Sequence, residues 1–255
     1  MKKYILPLFS CLLLSACDYI AEEDRLIEVE KVQAKRVVLL EDFTGQLCVN
    51  CPLGTEVIEQ LQAEYGDHVV AVGIHGGPLG YKGSATNVGL ATEMGDNYYN
   101  YWNFEYQPVG LVNRHGAVNY ADWVKAVTEE LEKDSPLQLE LSAQREGLQL
   151  LIHVSETALS EEVSGKVQVW VLEDSIQAIQ FMPDGSRDRE YVHNHVLRQE
   201  VNGMWGETLS VAPGQTAEQT YTQEIESTWN PDHLSVVAFV HNAEGVVQAV
   251  KGEVK

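Results

Sequence analysis

Arg36-Val-Val-Leu-Leu-Glu-Asp-Phe-Thr-Gly-Gln-Leu-Cys-Val-Asn-Cys-Pro52 is the stretch on which the reading of this chain turns. Its first part, residues 36–43, is a short and mostly apolar run closed by Thr44-Gly45, the pattern of a buried strand. Residues 52–65 carry Val57, Leu61 and Tyr65 at a spacing of four and stop at Gly66-Asp67, which reads as a helix. Cys48 and Cys51 fall between the two, at the helix N-terminus. Pro52 suits an early helical position because its missing N–H has no intrahelical partner there. The partial positive charge of a helix start favours a thiolate on Cys48, and Cys51, one turn deeper, is placed to resolve a mixed disulfide. A Cys-x-x-Cys pair also suits zinc, but zinc needs further ligands. The chain has no second cysteine pair, and His68, His75 and His115 lack paired ligand spacing, so no metal is expected.

Downstream of this stretch the pattern continues as α/β. Residues 69–74 read as a second strand ended by His75-Gly76-Gly77-Pro78, and residues 79–105, rich in Gly, Asn and Tyr, as an inserted loop with a short helix. Residues 109–113 form a third strand turned by Arg114-His115-Gly116. Residues 120–133 form an amphipathic helix with Trp123, Val127 and Leu131 on one stripe. After Asp134-Ser135-Pro136 the period becomes two. Leu137, Leu139 and Leu141 alternate with polar residues, then Leu148, Leu150, Ile152 and Val154, then Val167, Val169 and Val171. Further strands are expected over 192–201, 209–212 and 220–225, with two more around Asn242-Ala-Glu-Gly245. Seven or eight short strands with polar turns predict an antiparallel β-sandwich of immunoglobulin-like type over residues 135–255. The expected fold class is therefore α/β plus all-β.

Upstream, Lys2-Lys3, a short apolar run from Tyr4 to Leu14, and Leu14-Ser15-Ala16-Cys17 have the charge order of a secretory leader. The apolar run is too short to span a bilayer permanently. Leu-Ser-Ala-Cys is similar to a bacterial lipobox, which implies a signal peptide over 1–16, cleavage before Cys17, and acylation of Cys17. An ordinary leader followed by an incidental cysteine is the competing reading. Residues 17–35, with Asp18, Glu22, Glu23, Asp24, Glu28 and Glu30, read as the lipidated cysteine and an acidic tether. Cys11 leaves with the leader and Cys17 is taken by lipid, so Cys48 and Cys51 remain alone in an oxidising compartment. The formal charge of −21 becomes −23 once Lys2 and Lys3 are removed. A field of that sign repels phosphate backbones, so nucleic acid is not an expected partner. No phosphate loop or dinucleotide fingerprint is present, and no cofactor is expected.

Residues 36–134 resemble a thioredoxin domain in three separable features. One is Cys48-Val49-Asn50-Cys51 after a strand. A second is Asp42, six residues before Cys48, where thioredoxins keep a buried acid; by that match Asp42 would accept the proton of Cys51. The third is Gln107-Pro108, which matches the cis-proline facing the thiols. Leu47 departs from the tryptophan of thioredoxins, and Val49-Asn50 from their Gly-Pro, which leaves the redox direction open. For Asp42 the competing reading is a strand-end acid facing solvent; for Pro108 it is a trans loop proline. More narrowly, residues 41–52 together with Tyr191-Val-His-Asn-His-Val-Leu-Arg198 resemble the 28-kDa outer-membrane lipoprotein family of the Bacteroidota, over nearly the whole mature chain. That resemblance implies an outer-membrane location, with the leaflet undetermined, and a role described as surface antigen, adhesin or receptor.

Two functions follow as expectations. The first is a thiol–disulfide oxidoreductase acting on envelope proteins through Cys48, Cys51, Asp42 and Pro108, with protein clients or a redox partner. The second is a surface adhesin or receptor-type binding protein that uses the same fold as a scaffold. A structural lipoprotein with a permanent Cys48–Cys51 bond is a weaker third. His193 and His195, two apart on an expected strand, share a face and suggest a metal grip, although a polar strand face is the simpler account. Tyr98, Tyr99, Tyr101 and Trp102 read either as a client groove or as a small core. Asp174-Ser175-Ile176 resembles an O-glycosylation acceptor of Bacteroidota envelope proteins.

Overall fold

The computed structural model describes residues 33–255; the leader over 1–16, Cys17 and most of the tether over 17–35 lie outside the described residues. Strand β1 (Ala34–Lys35) leads into β2 (Val38–Thr44), which is buried along its whole length. Helix α1 (Cys51–Tyr65) then crosses to β3 (Val69–His75), and the two strands pair in parallel from Val38–Val69 to Thr44–His75. Parallel neighbours need such a crossover, and burial on both faces explains their near-continuous apolar sequences. Helix α2 (Glu93–Tyr101) lies within the expected insertion, capped by Thr92, whose hydroxyl accepts from the Gly95 N–H. Strand β4 (Val109–Val112) pairs antiparallel with the other edge of β2, and β5 (Ala117–Asn119) with β4. Helix α3 (Trp123–Leu131) returns beside α1. Ile58, Leu61, Trp123 and Val127 from the two helices pack on Val38, Leu40, Val69 and Ala71. Gly110 permits this packing, because a Cβ there would lie 2.4 Å from Nε1 of the fully buried Trp123.

The remaining chain is almost all strand: β6 (Asp134–Ser135), β7 (Leu137–Glu146), β8 (Gln149–Ala158), β9 (Val163–Glu173), β10 (Ile176–Phe181), β11 (Arg187–His193), β12 (Val196–Glu200), β13 (Glu207–Val211), β14 (Thr216–Glu224), β15 (Leu234–Asn242) and β16 (Gly245–Glu253). Strands β14, β8 and β7 form an antiparallel sheet that stacks on β9, β13 and β15 through Leu137, Ile152, Val169, Val236 and their neighbours. The large sheet runs β16-β15-β9-β12-β3-β2-β4-β5, with β13 also on β9. Strand β12 is the link: it is antiparallel to β9 and parallel to β3 at Val196–Gly73, and the Gly73 N–H donates to the His195 carbonyl at 2.7 Å. The fold of the described residues is thus mixed and sheet-dominated, with β3 parallel to both β2 and β12 and the other named strand pairs antiparallel.

The sheet curls so that its two ends enclose a further core. Leu39, Val72, Ile74 and Leu111 meet Trp170, Leu172, Val237 and Phe239 across it. Strands β9 and β15 are therefore covered on both faces over most of their length. The period-two reading of Val167, Val169 and Val171 captures one face only, and Trp170 and Leu172 fill the other. Arg114 lies within this core: its guanidinium pairs with Glu41, donates to Gln168 Oε1 at 3.2 Å, and lies 4.8 Å from the Phe239 ring centre. The aromatics of the insertion divide. Tyr98 and Tyr99 are buried in the same core, whereas Tyr101 is 61% exposed.

One expected strand is corrected. Residues 192–201 do not form a single strand, because Asn194 and His195 interrupt it and His195 has φ +57°. His193 ends β11 and His195 precedes β12, so the two rings do not share a strand face. The segment before the break also pairs with a strand that the sequence pattern does not announce. Strands β10 and β11 form a two-stranded sheet of their own, with Ile176 opposite His193.

Candidate functional site

The turn after β2 is built from backbone bonds: the Cys48 N–H donates to the Gly45 carbonyl at 3.0 Å, Cys51 N–H to Cys48 at 3.3 Å, and Leu47 N–H to Leu79 at 3.1 Å. Gly45 is obligatory here, since a Cβ would lie 2.3 Å from the Leu79 oxygen. Cys48 and Cys51 are joined by a disulfide with Cα atoms 5.4 Å apart. Cys51 is the first residue of α1, and Pro52 occupies its first turn. The unpaired N–H groups of a helix start favour negative charge at this place. Both cysteines are buried, at 1% and 2% exposure, although Val49 between them is 43% exposed.

Asp42 stands on β2 and does not face solvent. Its carboxyl is 3% exposed, and burial pushes its pKa up to about 8. Its Oδ1 has no hydrogen-bond partner among the described residues. Asp42 and Cys51 line one cavity of about 30 Å³, together with His75, Gln180, Tyr191 and His193. His75 is held well below the ordinary imidazole range by burial, then by His193 and Arg198. Burial likewise lowers His193 to about 4. The two rings meet edge to face at 5.3 Å, and both are neutral near pH 7. None of Tyr98, Tyr99, Tyr101 and Trp102 lines this cavity.

Pro108 follows a cis peptide and packs against the first turns of α1, where a Cβ on Gly54 would lie 3.5 Å from the proline Cβ. The preceding Gln107 ties the surrounding loops together. Its amide nitrogen donates to the Thr44 carbonyl at 2.7 Å and to Gly76 at 3.1 Å, and its oxygen accepts from Leu79 N–H. Gln46 does the same on the other side, donating to Val88 and Ile179 and accepting from Leu90 N–H. Gln180 closes the site from β10, with Nε2 donating to the Cys48 carbonyl at 2.9 Å and to Gly45 at 3.4 Å. Sequence reasoning names Gln107 only as the residue before Pro108 and misses Gln46 and Gln180, because a single amide carries no periodic signal. It likewise misses His75 and His193 as neighbours of Asp42, since they meet only when β12 docks on β3.

Residues 95–255 match the family described as outer membrane protein Omp28. This chain belongs to the Omp28 family. It is accordingly a protein of the outer membrane. The matched part of this Omp28 chain begins after the disulfide, and includes Pro108, Gln180 and His193 but neither cysteine. No curated protein matches it. Among solved structures, HBP35 of Porphyromonas gingivalis is similar at 18% identity, covering 87% of this chain and 76% of that one, with a TM-score of 0.66. A protein from Agrobacterium tumefaciens is similar at 18% identity over 87% of this chain and 95% of that one, with a TM-score of 0.52. Both likenesses are of fold. A domain of the outer membrane lipoprotein Omp28 from Porphyromonas gingivalis aligns at 23% identity over 48% of this chain and 89% of that one, with a TM-score of 0.35.

Proposed function

We propose that this Omp28 protein is a thiol–disulfide exchange protein of the cell envelope, acting on protein clients through Cys48 and Cys51. The observation that carries the reading is the bonded Cys48–Cys51 pair at the start of α1 with the buried Asp42 beside Cys51. In the reducing direction the Cys48 thiolate attacks a client disulfide, and one client sulfur leaves as thiolate. The ionised fraction of Asp42 then takes the proton of Cys51, and the Cys51 thiolate attacks the Cys48 sulfur, which releases the second client thiolate and re-forms the internal bond. The client gains two electrons and the protein loses them. A dithiol partner protein returns them; with clients that are dithiols, the same steps run backwards. An acid with a pKa about 8 is well matched to a thiol, because proton exchange between groups of similar pKa needs little driving force.

Within this proposal residues 36–134 are a thioredoxin-like unit. The β2-α1-β3 crossover, antiparallel β4 and β5, and Pro108 against α1 support it. Residues 135–255 are an immunoglobulin-like sandwich, supported by the stacked antiparallel sheets, and β12 fuses its large sheet to that of the first unit. Lipid on Cys17 is the anchor, which the leader pattern and the outer-membrane family support. The test is titration of the intact protein across glutathione redox buffers, with client trapping by the Cys51→Ala variant. A reversible two-electron transition and mixed disulfides through Cys48 are expected. A bond that resists strong reductant, or a variant that traps nothing, refutes the reading.

A further inference from the structure

We propose that the β10–β11 hairpin is a displaceable cover lying in the groove that an extended, cysteine-bearing client segment would occupy. Three carbonyls flank Cys48: those of Gly45, Gln46 and Cys48 itself. The hairpin supplies donors to all of them. Gln180 Nε2 serves Gly45 and Cys48, and the Phe181 N–H donates to Gln46 at 2.9 Å. Gln46 answers by donating to the Ile179 carbonyl at 3.0 Å. The Phe181 N–H to Gln46 bond is backbone to backbone, as in strand addition, while the side-chain amides of Gln180 and Gln46 make the other three. The carbonyls of Gly45, Gln46 and Cys48 are acceptors that the N–H groups of an extended client would take up once the hairpin leaves. With the hairpin in place Cys48 is 1% exposed, so no sulfur of another protein reaches it. The inference rests on the thiol-exchange reading for its client, but the cover itself is independent of it.

The hairpin is built to lift. Among the described residues its two strands pair only with each other, whereas every other strand near the site belongs to the large sheet. Its apolar support is one small cluster, Leu90, Ala178 and Val196 with Ile176 beside them. Residues 187–190 and most of the tip are exposed. An isolated hairpin with little buried apolar area is marginal on its own, and such segments open far below the free energy of global unfolding. Ile176 and His193 are cross-strand partners, so the chain can return between them without the hairpin.

The test is the alkylation rate of Cys48 in the full chain carrying Cys51→Ala, with iodoacetamide as probe. Residues 177–192 are replaced by a short glycine turn in one version, and Gln180→Ala is introduced in another that keeps the hairpin. Slow labelling with the hairpin intact, accelerated about tenfold or more by the replacement and several-fold by Gln180→Ala, is expected of a cover in local opening equilibrium. If the replacement version does not fold by circular dichroism, the Gln180→Ala comparison decides. Labelling of the intact chain at the rate of an exposed cysteine, or no acceleration in a folded variant, overturns the proposal. Alkylation needs no client. Accelerated labelling without any trapped client therefore supports the cover while counting against exchange, and accelerated labelling with increased trapping supports both.

Discussion

Replacing Asp42 by asparagine tests the electrostatics of the site through stability. The carboxyl is 3% exposed, and burial raises its pKa from 3.8 to about 8. Unfolded, the same group ionises near its ordinary value of about 4. Between about pH 4 and pH 8 the folded state therefore holds a proton that the unfolded state has lost, and stability falls as pH rises through this window. Each pKa unit corresponds to about 1.4 kcal/mol, so the cost of Asp42 reaches about 4 kcal/mol at pH 7 and about 5 kcal/mol above pH 8. Asparagine keeps the shape without the titration. Asp42→Asn is expected to be more stable than the parent at pH 7 by about 2–4 kcal/mol, allowing for an amide that must find partners, and the gain should vanish near pH 4. Urea unfolding of both oxidised proteins from pH 4 to 9 measures it. The difference between them removes groups common to both, notably His75, His193 and His241, whose lowered values give the opposite slope below pH 6.5. A difference that is flat with pH, or a variant less stable at pH 8, would refute the reasoning.

Three packing predictions accompany it. Arg114→Ala leaves Glu41 buried without its cation and is expected to cost about 3–5 kcal/mol in urea unfolding, because removing one partner strands the other charge. Gly110→Ala drives a methyl to within 2.4 Å of the Trp123 indole and should cost about 1–3 kcal/mol, visible as a lower thermal midpoint. Trp170→Ala empties the core between the two ends of the curled sheet and should cost about 3–5 kcal/mol by the same assay.

The β2-α1-β3 segment is legible in the sequence because strands buried on both faces write continuous apolar runs, and because Gly66-Asp67 marks the end of α1. The same physics hides the joining of the sheets. Val169-Trp170-Val171-Leu172 and Val236-Val237-Ala238-Phe239 are continuous apolar runs too, yet a search for alternation keeps only the residues of one face. Cys51 opens α1 beside Asp42 and is bonded to Cys48 in the preceding turn, so those three residues stand out in one stretch. Gln180, Tyr191 and His193 reach the same cavity from 132 to 151 residues away in numbering relative to Asp42 and Cys48, through a hairpin with few apolar residues. Nothing in Arg187-Asp188-Arg189-Glu190 marks β11 as a strand, because its partner and its hydrogen bonds form it rather than a buried face.

The buried carboxyl and the hairpin cover are physically linked. Asp42 shares its cavity with Gln180, Tyr191 and His193 of the hairpin and with His75 of β3, and its raised pKa is caused by burial. Lifting the hairpin admits water to that cavity and returns the carboxyl toward its ordinary range of about 4. A group that binds its proton more tightly in the closed form favours opening as pH rises, from about pH 4 until it ionises in both forms near pH 8. His75 and His193, lowered by the same burial, favour opening only as pH falls below their ordinary range, so the two effects separate on the pH axis. The iodoacetamide rate of Cys48, divided by its thiolate fraction, should therefore rise between pH 6 and pH 8 in the Cys51→Ala chain and flatten when Asp42→Asn is added. A corrected rate that is equally steep in both chains would show that the carboxyl does not sense the hairpin, and would separate the acid's role in proton transfer from any role in access.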